Sequence, residues 1–259
     1  DYNIDPAEIE KLITPKTKAI VPIHWSGLIC DMPTIKAIAD RHRLAIVEDA
    51  CHAIGAIRHN RHAGAFAETA CYSMHPLKNL NVWGDGGVVV TNNDKLARKL
   101  SLMRNHGLTD RNTCEIFAYN SRLDTLQAIV ANHLLKKIDH ITNRRIDNAK
   151  FFDQQLSTVD AITIPPRDAT AKQVFHIYVL RTERRDELVQ HLIKRNIDAK
   201  VHYPTPMHLQ PAAAAYNYQE GDFHLSEAAC KTVFSLPVHE FITNEQRHYV
   251  VDVIKEFYG

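Results

Sequence analysis

Lys78 stands five residues after Ser73, in a loop between two apolar strand-like runs, Ala70-Cys71-Tyr72 and Val88-Val89-Val90, and is followed by the turn Gly84-Asp85-Gly86-Gly87. A lysine amine held partly out of water gives up its proton more readily and can form a Schiff base with an aldehyde or ketone. The Ser73 hydroxyl can hydrogen-bond an anion beside it. Most loop lysines are only solvated charges, so the chemistry needs a second group. Upstream, Leu44-Ala45-Ile46-Val47 reads as a buried strand that ends in Glu48-Asp49, and open α/β sheets present their ligand groups at that end. Pyridoxal phosphate requires a lysine to hold it as an internal aldimine and a carboxylate facing its pyridine nitrogen, which keeps the ring an electron sink. Lys78 and Asp49 match those two requirements.

The elements that must position these groups follow from periodicity. Asp5-Pro6 reads as the cap and first residue of a helix with Ile9, Leu12 and Ile13 on one face, stopped at Thr14-Pro15. Lys18 to Ile23 reads as a strand. It ends at His24-Trp25-Ser26-Gly27, a loop on the ligand side of a parallel sheet, where Trp25 is either core packing or a pocket wall. A helix from Asp31 or Met32 to His42 leads into the strand opened by Leu44, and strand, helix, strand implies right-handed crossovers in a parallel sheet. Gly86 to Asn92 is a further strand, after which Asn93-Asp94 caps a helix that closes at Gly107. Tyr119 to Asp124 leads into a helix carrying Leu126, Ile129, Val130 and Leu134 inward. The composition changes near residues 138–148, which sets the expected boundary between a large α/β domain, residues 1–145, and a smaller α+β domain, residues 146–259. In the smaller one, Val174 to Leu180 and Ala199 to Tyr203 read as strands, and Glu187 to Asn196, Ser226 to Val233 and Glu245 to Tyr258 as helices. His202 and Tyr203, at a strand end ahead of two prolines, are its substrate-facing candidates.

Lys and Arg number 31 against 30 Asp and Glu, which gives no case for a nucleic-acid or membrane surface. The 5 cysteines are odd in number and contain no Cys-x-x-Cys, against a disulfide framework or a structural zinc site and in keeping with a reducing cytoplasm. The 16 histidines are dispersed, so no metal site is expected. A Gly-x-Gly-x-x-Gly turn, a P-loop and a Gly-x-Ser-x-Gly elbow are all absent, which disfavours dinucleotide, nucleotide-phosphate and esterase chemistry.

The strings VEDACHAIGA (47–56), CYSMHPLKNLNVWGDGGVVVTN (71–92), RNHGL (104–108), YNSRLDTLQA (119–128), VHYPTPMHLQPA (201–212) and SLPVHE (235–240) resemble, in order, the DegT/DnrJ/EryC1/StrS group of sugar aminotransferases. The resemblance implies the mostly parallel α/β large domain of fold-type-I pyridoxal phosphate enzymes with a smaller α+β domain after it. It implies transfer of an amino group from glutamate to a keto-sugar, nucleotide-linked or an octulosonate-type sugar acid, in polysaccharide or glycoconjugate biosynthesis. Relatives that carry His in place of the lysine dehydrate instead, so Lys78 favours transamination. By resemblance His52 would hydrogen-bond the phenolic oxygen of the cofactor, against the plainer reading of a histidine satisfying its loop. Asn120 would reach the cofactor phosphate of a partner subunit in a homodimer, or else merely cap its helix. His202 and Tyr203 would line the sugar pocket. The chain opens at a point that resembles the interior of the family's large domain, ahead of which a Gly-Thr phosphate-binding turn and a ring-stacking side chain are expected. Two other classes remain open on sequence: a cofactor-free family member acting as scaffold or regulator, and a histidine-rich metal-binding protein.

Overall fold

A computed structural model describes residues 1–259, which divide into two units. The larger comprises Tyr2–Asn143 with Asp168–His176; the smaller comprises Arg144–Arg167 and Ile177–Gly259, with Asp1.

The larger unit opens with α1 (Pro6–Leu12), whose first turn is closed by the Asp5 carboxylate accepting the Ala7 N–H at 2.9 Å. β1 (Ala19–Ile20) follows, shorter than the run Lys18 to Ile23 that reads as a strand. Pro22 has no N–H to give to a ladder; the carbonyl of Pro22 accepts from Asp49, and Ile23 keeps a single bridge to that residue. α2 (Met32–His42) is capped by Asp31 and buries Met32, Ile35, Ile38 and Ala39. β2 (Ala45–Asp49), the hairpin β3 (Ile57–Arg58) and β4 (Arg61–His62), β5 (Thr69–Ser73) and β6 (Gly87–Thr91) come next. The main sheet has the order β1-β2-β5-β6, parallel except at its last pair, where β6 runs antiparallel to β5. Register places Asp49 beside Cys71 and Ser73 opposite Gly87. Ile20 and Ile46 of the strands meet Met32, Ile35 and Ile38 in one core.

Asn93 caps α3 (Asp94–Met103), its side chain accepting the Leu96 N–H at 3.1 Å. The chain then turns at Gly107, whose N–H bonds the Leu102 carbonyl at 2.8 Å. Gly107 has φ +71, and a Cβ built there would lie 1.7 Å from the Ile116 carbonyl oxygen. Gly107→Ala is therefore expected to destabilise the protein by at least the roughly 1–3 kcal/mol of a strained conformation, with the clash added; the fall in urea midpoint measures it. α4 (Thr125–Leu135) follows, and then α5 (Ile138–Leu156).

In the smaller unit β7 (Tyr178–Arg181), α6 (Arg185–Lys194), α7 (His224–Thr232), β8 (Val233–Leu236) and α8 (Asn244–Tyr258) follow in order, with β7 and β8 antiparallel. Two of the expected strands are cut down. The run Val174 to Leu180 forms a strand only from Tyr178, because Phe175 sits at φ +46, outside the extended region. Ala199 to Tyr203 makes a single bridge, Lys200 to Ser235, before Tyr203 turns to φ +63 ahead of Pro204. Val233, expected at the end of a helix, begins β8 and is buried.

Candidate active site

The adjacent acids at the end of β2 point to opposite faces of the sheet, as strand alternation requires. Glu48 is fully buried. Its Oε2 accepts His24 Nε2 at 2.9 Å and the Gly64 N–H at 2.8 Å, and its Oε1 accepts the N–H groups of Phe66 at 2.8 Å and Ala67 at 2.7 Å. Because His24 Nδ1 accepts the Cys30 N–H at 3.3 Å, His24 Nε2 is the donor to Glu48. Glu48 is thus a structural anchor. Asp49 is left half-buried on the other face, with its Oδ1 accepting the Cys51 N–H at 3.0 Å. Its backbone is pinned between Pro22, whose carbonyl takes the Asp49 N–H at 3.0 Å, and the His24 N–H, which bonds its carbonyl at 3.0 Å.

Lys78 lies on a loop held on both sides by buried side chains, Met74 before it and Leu80 and Val82 after it, packed with Leu123, Leu134 and Ile138. The loop is closed by Met74 N–H to the Gly86 carbonyl at 2.8 Å and Val82 N–H to the Met74 carbonyl at 3.0 Å. Lys78 itself donates its N–H to the His75 carbonyl at 2.9 Å. Its amine is half-buried, and that burial holds its pKa below the ordinary lysine value, with the Asp49 carboxylate pulling the other way. Asp49 and Lys78, distant in sequence, are therefore brought within electrostatic reach of each other.

Cys51, which sequence reasoning did not single out, interacts electrostatically with both Asp49 and Lys78. Burial, and then the Asp49 carboxylate beside it, push its thiol up to about 12. A thiol in that state is a poor nucleophile near neutrality. Iodoacetamide at pH 7.5 is expected to label the exposed Cys114 and leave Cys51 at least tenfold slower, as read by peptide mass spectrometry.

Four other candidates lie in the same unit. The His52 ring packs against His176, with centroids 4.3 Å apart. Ser73 ends β5, its Oγ accepting the His75 N–H at 3.3 Å, so the hydroxyl faces into the start of the Lys78 loop. Trp25 opens a short 3-10 turn, half-buried, with its ring edge-to-face on Tyr2 at 5.2 Å and its main-chain N–H donated to Asn3 Oδ1 at 2.9 Å. Asn120 is exposed and bridged through its backbone to Asn105; the cap position of α4 is Asp124, so Asn120 does not cap that helix. His202 and Tyr203 belong to the smaller unit. There His202 Nδ1 meets Ser235 Oγ at 2.9 Å, and Tyr203 is exposed. No group of His, Cys, Asp and Glu side chains could hold a metal ion, and no helix is long and apolar enough to cross a membrane.

Lys78, Asp49 and His52 fit pyridoxal phosphate on donor chemistry alone: a half-buried amine, a carboxylate at a strand end and an imidazole three residues beyond it. Comparison with known proteins points the same way. The DegT/DnrJ/EryC1/StrS aminotransferase family model matches residues 1–255. A pleiotropic regulatory protein of Geobacillus stearothermophilus is 40% identical over 259 residues, 99% of this chain and 70% of that protein. The dTDP-3-amino-3,4,6-trideoxy-alpha-D-glucose transaminase of Streptomyces venezuelae is 40% identical over 254 residues, 98% of this chain and 67% of that one. The crystal structure of S. venezuelae DesV in complex with a ketimine intermediate matches with a TM-score of 0.96 at 39% identity, covering 99% of this chain and 69% of that chain. The chain belongs to the DegT/DnrJ/EryC1/StrS aminotransferase family, with the mostly parallel sheet of the fold-type-I transferases.

Proposed function

We propose that this protein transfers an amino group, from glutamate, to a keto-sugar carried on a nucleotide, with pyridoxal phosphate as cofactor. The observation that carries the reading is the half-buried Lys78 amine on a loop pinned on both sides, within electrostatic reach of Asp49. Nucleotide-linked acceptors are favoured over sugar acids because the S. venezuelae relative is named for a dTDP-linked sugar. When bound, pyridoxal phosphate supplies the electron sink that lets a proton leave the donor's α-carbon.

The chain's own groups do the rest. Lys78 would hold the cofactor covalently and, as a free amine, would carry the proton, a task its lowered pKa suits. Asp49 keeps the pyridine nitrogen protonated, His52 bonds the phenolic oxygen and the Ser73 hydroxyl serves the phosphate. Trp25 is the sugar-facing candidate of the larger unit, and His202 and Tyr203 are those of the smaller. Asn120, exposed and not committed to a helix cap, reaches the phosphate of a neighbouring subunit in a homodimer. In this reading residues 1–145 form the cofactor-binding domain and residues 146–259 the smaller domain, and the enzyme works in the cytoplasm.

The regulatory name of the Geobacillus relative favours a second reading, a cofactor-free regulator. An absorption spectrum of the protein with pyridoxal phosphate, before and after borohydride, separates the two. A visible band trapped covalently on Lys78 supports the transaminase, and amination of a dTDP-linked keto-sugar with glutamate then identifies the substrates. No band and no trapped cofactor overturn it in favour of the regulator.

A further inference from the structure

Residues 172–176 are far in sequence from the site, yet they touch three of its loops. Lys172 exchanges both main-chain hydrogen bonds with Ile57, at 2.7 and 3.2 Å. Gln173 Nε2 donates to Ser26 Oγ at 2.9 Å, on the turn that carries Trp25. Val174, fully buried, donates its N–H to the Gly27 carbonyl at 3.1 Å. The approach is close enough that a Cβ on Gly27, whose φ is +88, would stand 2.8 Å from Val174 Cγ2. The Val174 carbonyl then accepts Asn79 Nδ2 at 3.0 Å, and the His176 ring lies on His52. Phe175, at φ +46 and buried, is held in a conformation that non-glycine residues adopt only where surrounding contacts impose it. The segment is a strap across the loops of Trp25, His52 and Lys78.

Asn79 is the point where the strap meets the lysine loop. The residue is 3% exposed and sits next in sequence to Lys78. Nδ2 is bonded to Val174, whereas Oδ1 is buried with no hydrogen-bond partner. An orphan acceptor opposes what the donated bond contributes to stability, so a space-filling role alone is better served by an apolar side chain. What the amide uniquely supplies is a directional tether to a rigid main-chain oxygen. The titratable groups that act on the Lys78 amine are Asp49, at the end of β2, and Cys51 just after it, and Cys71 of β5 acts in turn on Cys51. On its own loop, His75 has Nδ1 occupied by the Leu77 N–H at 3.2 Å.

We infer that Asn79 is a positioning residue, which by tethering the lysine loop to Val174 holds the Lys78 amine partly out of bulk water and within electrostatic reach of Asp49. The inference rests on reading Lys78 as the cofactor lysine. Its test does not depend on the cofactor. Full-length protein, cleared of cofactor with hydroxylamine, is labelled with limiting acetic anhydride from pH 7 to 11, and acetylation of Lys78 is followed by peptide mass spectrometry. Asn79→Leu fills the space without the tether, and Asn79→Ser removes the tether with little bulk. Both are expected to fold and to raise the pH midpoint of Lys78 labelling toward that of exposed lysines. Labelling at a fixed pH below the midpoint then falls about tenfold for every step of one pH that the midpoint climbs. Labelling of exposed Lys36 serves as the internal control. An unchanged midpoint in the folded variants overturns the inference. Failure of both variants to fold also overturns it, because Asn79 would then hold the fold and not the amine. Pyridoxal phosphate with borohydride is run on wild type in parallel: absence of a trapped adduct there removes the proposed function while the labelling series still judges Asn79.

Discussion

Lys78→Ala is expected to fold as wild type does, to lose borohydride-trapped cofactor entirely, and to lose transamination by at least about 10²–10⁴-fold, the scale of one positioned proton-transfer group. Folding should survive because the loop is held by parts other than the Lys78 side chain. Met74, Leu80 and Val82 fill the core beneath it, and Asn79 ties it to Val174. The contributions of Lys78 to the turn are main-chain groups, its N–H on His75 and its carbonyl under Asn81 Nδ2, which alanine retains. What alanine removes is the amine that sits half-buried near Asp49. Asp49→Asn makes the complementary cut. The amide oxygen can still accept the Cys51 N–H that now bonds Oδ1, so the end of β2 should keep its shape. A neutral amide cannot favour a protonated pyridine nitrogen, however. Asp49→Asn should therefore still trap cofactor with borohydride and lose most turnover, whereas Lys78→Ala loses both. If Lys78→Ala retains the trapped adduct, some other lysine carries the cofactor and the assignment falls.

Residue type and alternation made the Asp49 end of β2 legible in the sequence. A short β-branched apolar run with two acids at its exit reads as a strand end, and a period of two sends the acids to opposite faces. The sequence reading takes Asp49 as the acid that faces the site, but the role of Glu48 was not legible, because its burial depends on the amides of Gly64, Phe66 and Ala67, supplied by a loop beyond the β3–β4 hairpin. The lysine loop was legible as a loop, but its anchoring was not. Asn79 and Val174 are 95 residues apart, and the strap leaves no periodic trace, since its geometry comes from the left-handed Phe175 and the close approach to Gly27. One signal was available: Asn79, an amide set between Lys78 and the apolar Leu80 in the turn. The shortening of β1 was also readable from Pro22. The strand expected at Ala199 to Tyr203 failed for a nonlocal reason, as only Lys200 found a partner in Ser235.

Glu48→Ala is expected to lower stability by roughly 3–5 kcal/mol, the scale for removing one partner from a buried charged network, read as a lower urea midpoint with an unchanged slope. Alanine leaves the N–H groups of Gly64, Phe66 and Ala67 and His24 Nε2 without their acceptor, in a place where water does not reach Glu48 now. Glu48→Gln is not a rescue. All four contacts to the carboxylate are donors, so the amide NH₂ of glutamine must oppose at least one of them. The network also sets a pH dependence. Burial alone would raise the Glu48 pKa, but the hydrogen bonds from His24, Gly64 and Phe66 outweigh it and hold the group below its ordinary value of 4.5. A carboxyl whose folded pKa is depressed adds stability above its unfolded pKa, and that addition is lost as pH falls through the lower, folded value. Wild type should therefore lose its advantage over Glu48→Ala as the pH drops below about 4.5, with the gap widest near neutrality. The effect should reach the site as well, because the main chain of Asp49 is bonded to Pro22 and His24, and His24 is what Glu48 holds in place. Glu48→Ala should thus weaken cofactor retention even in the fraction that stays folded. A gap that does not close at acid pH would show that the four donors find other acceptors, and that Glu48 is not the anchor of this strand end.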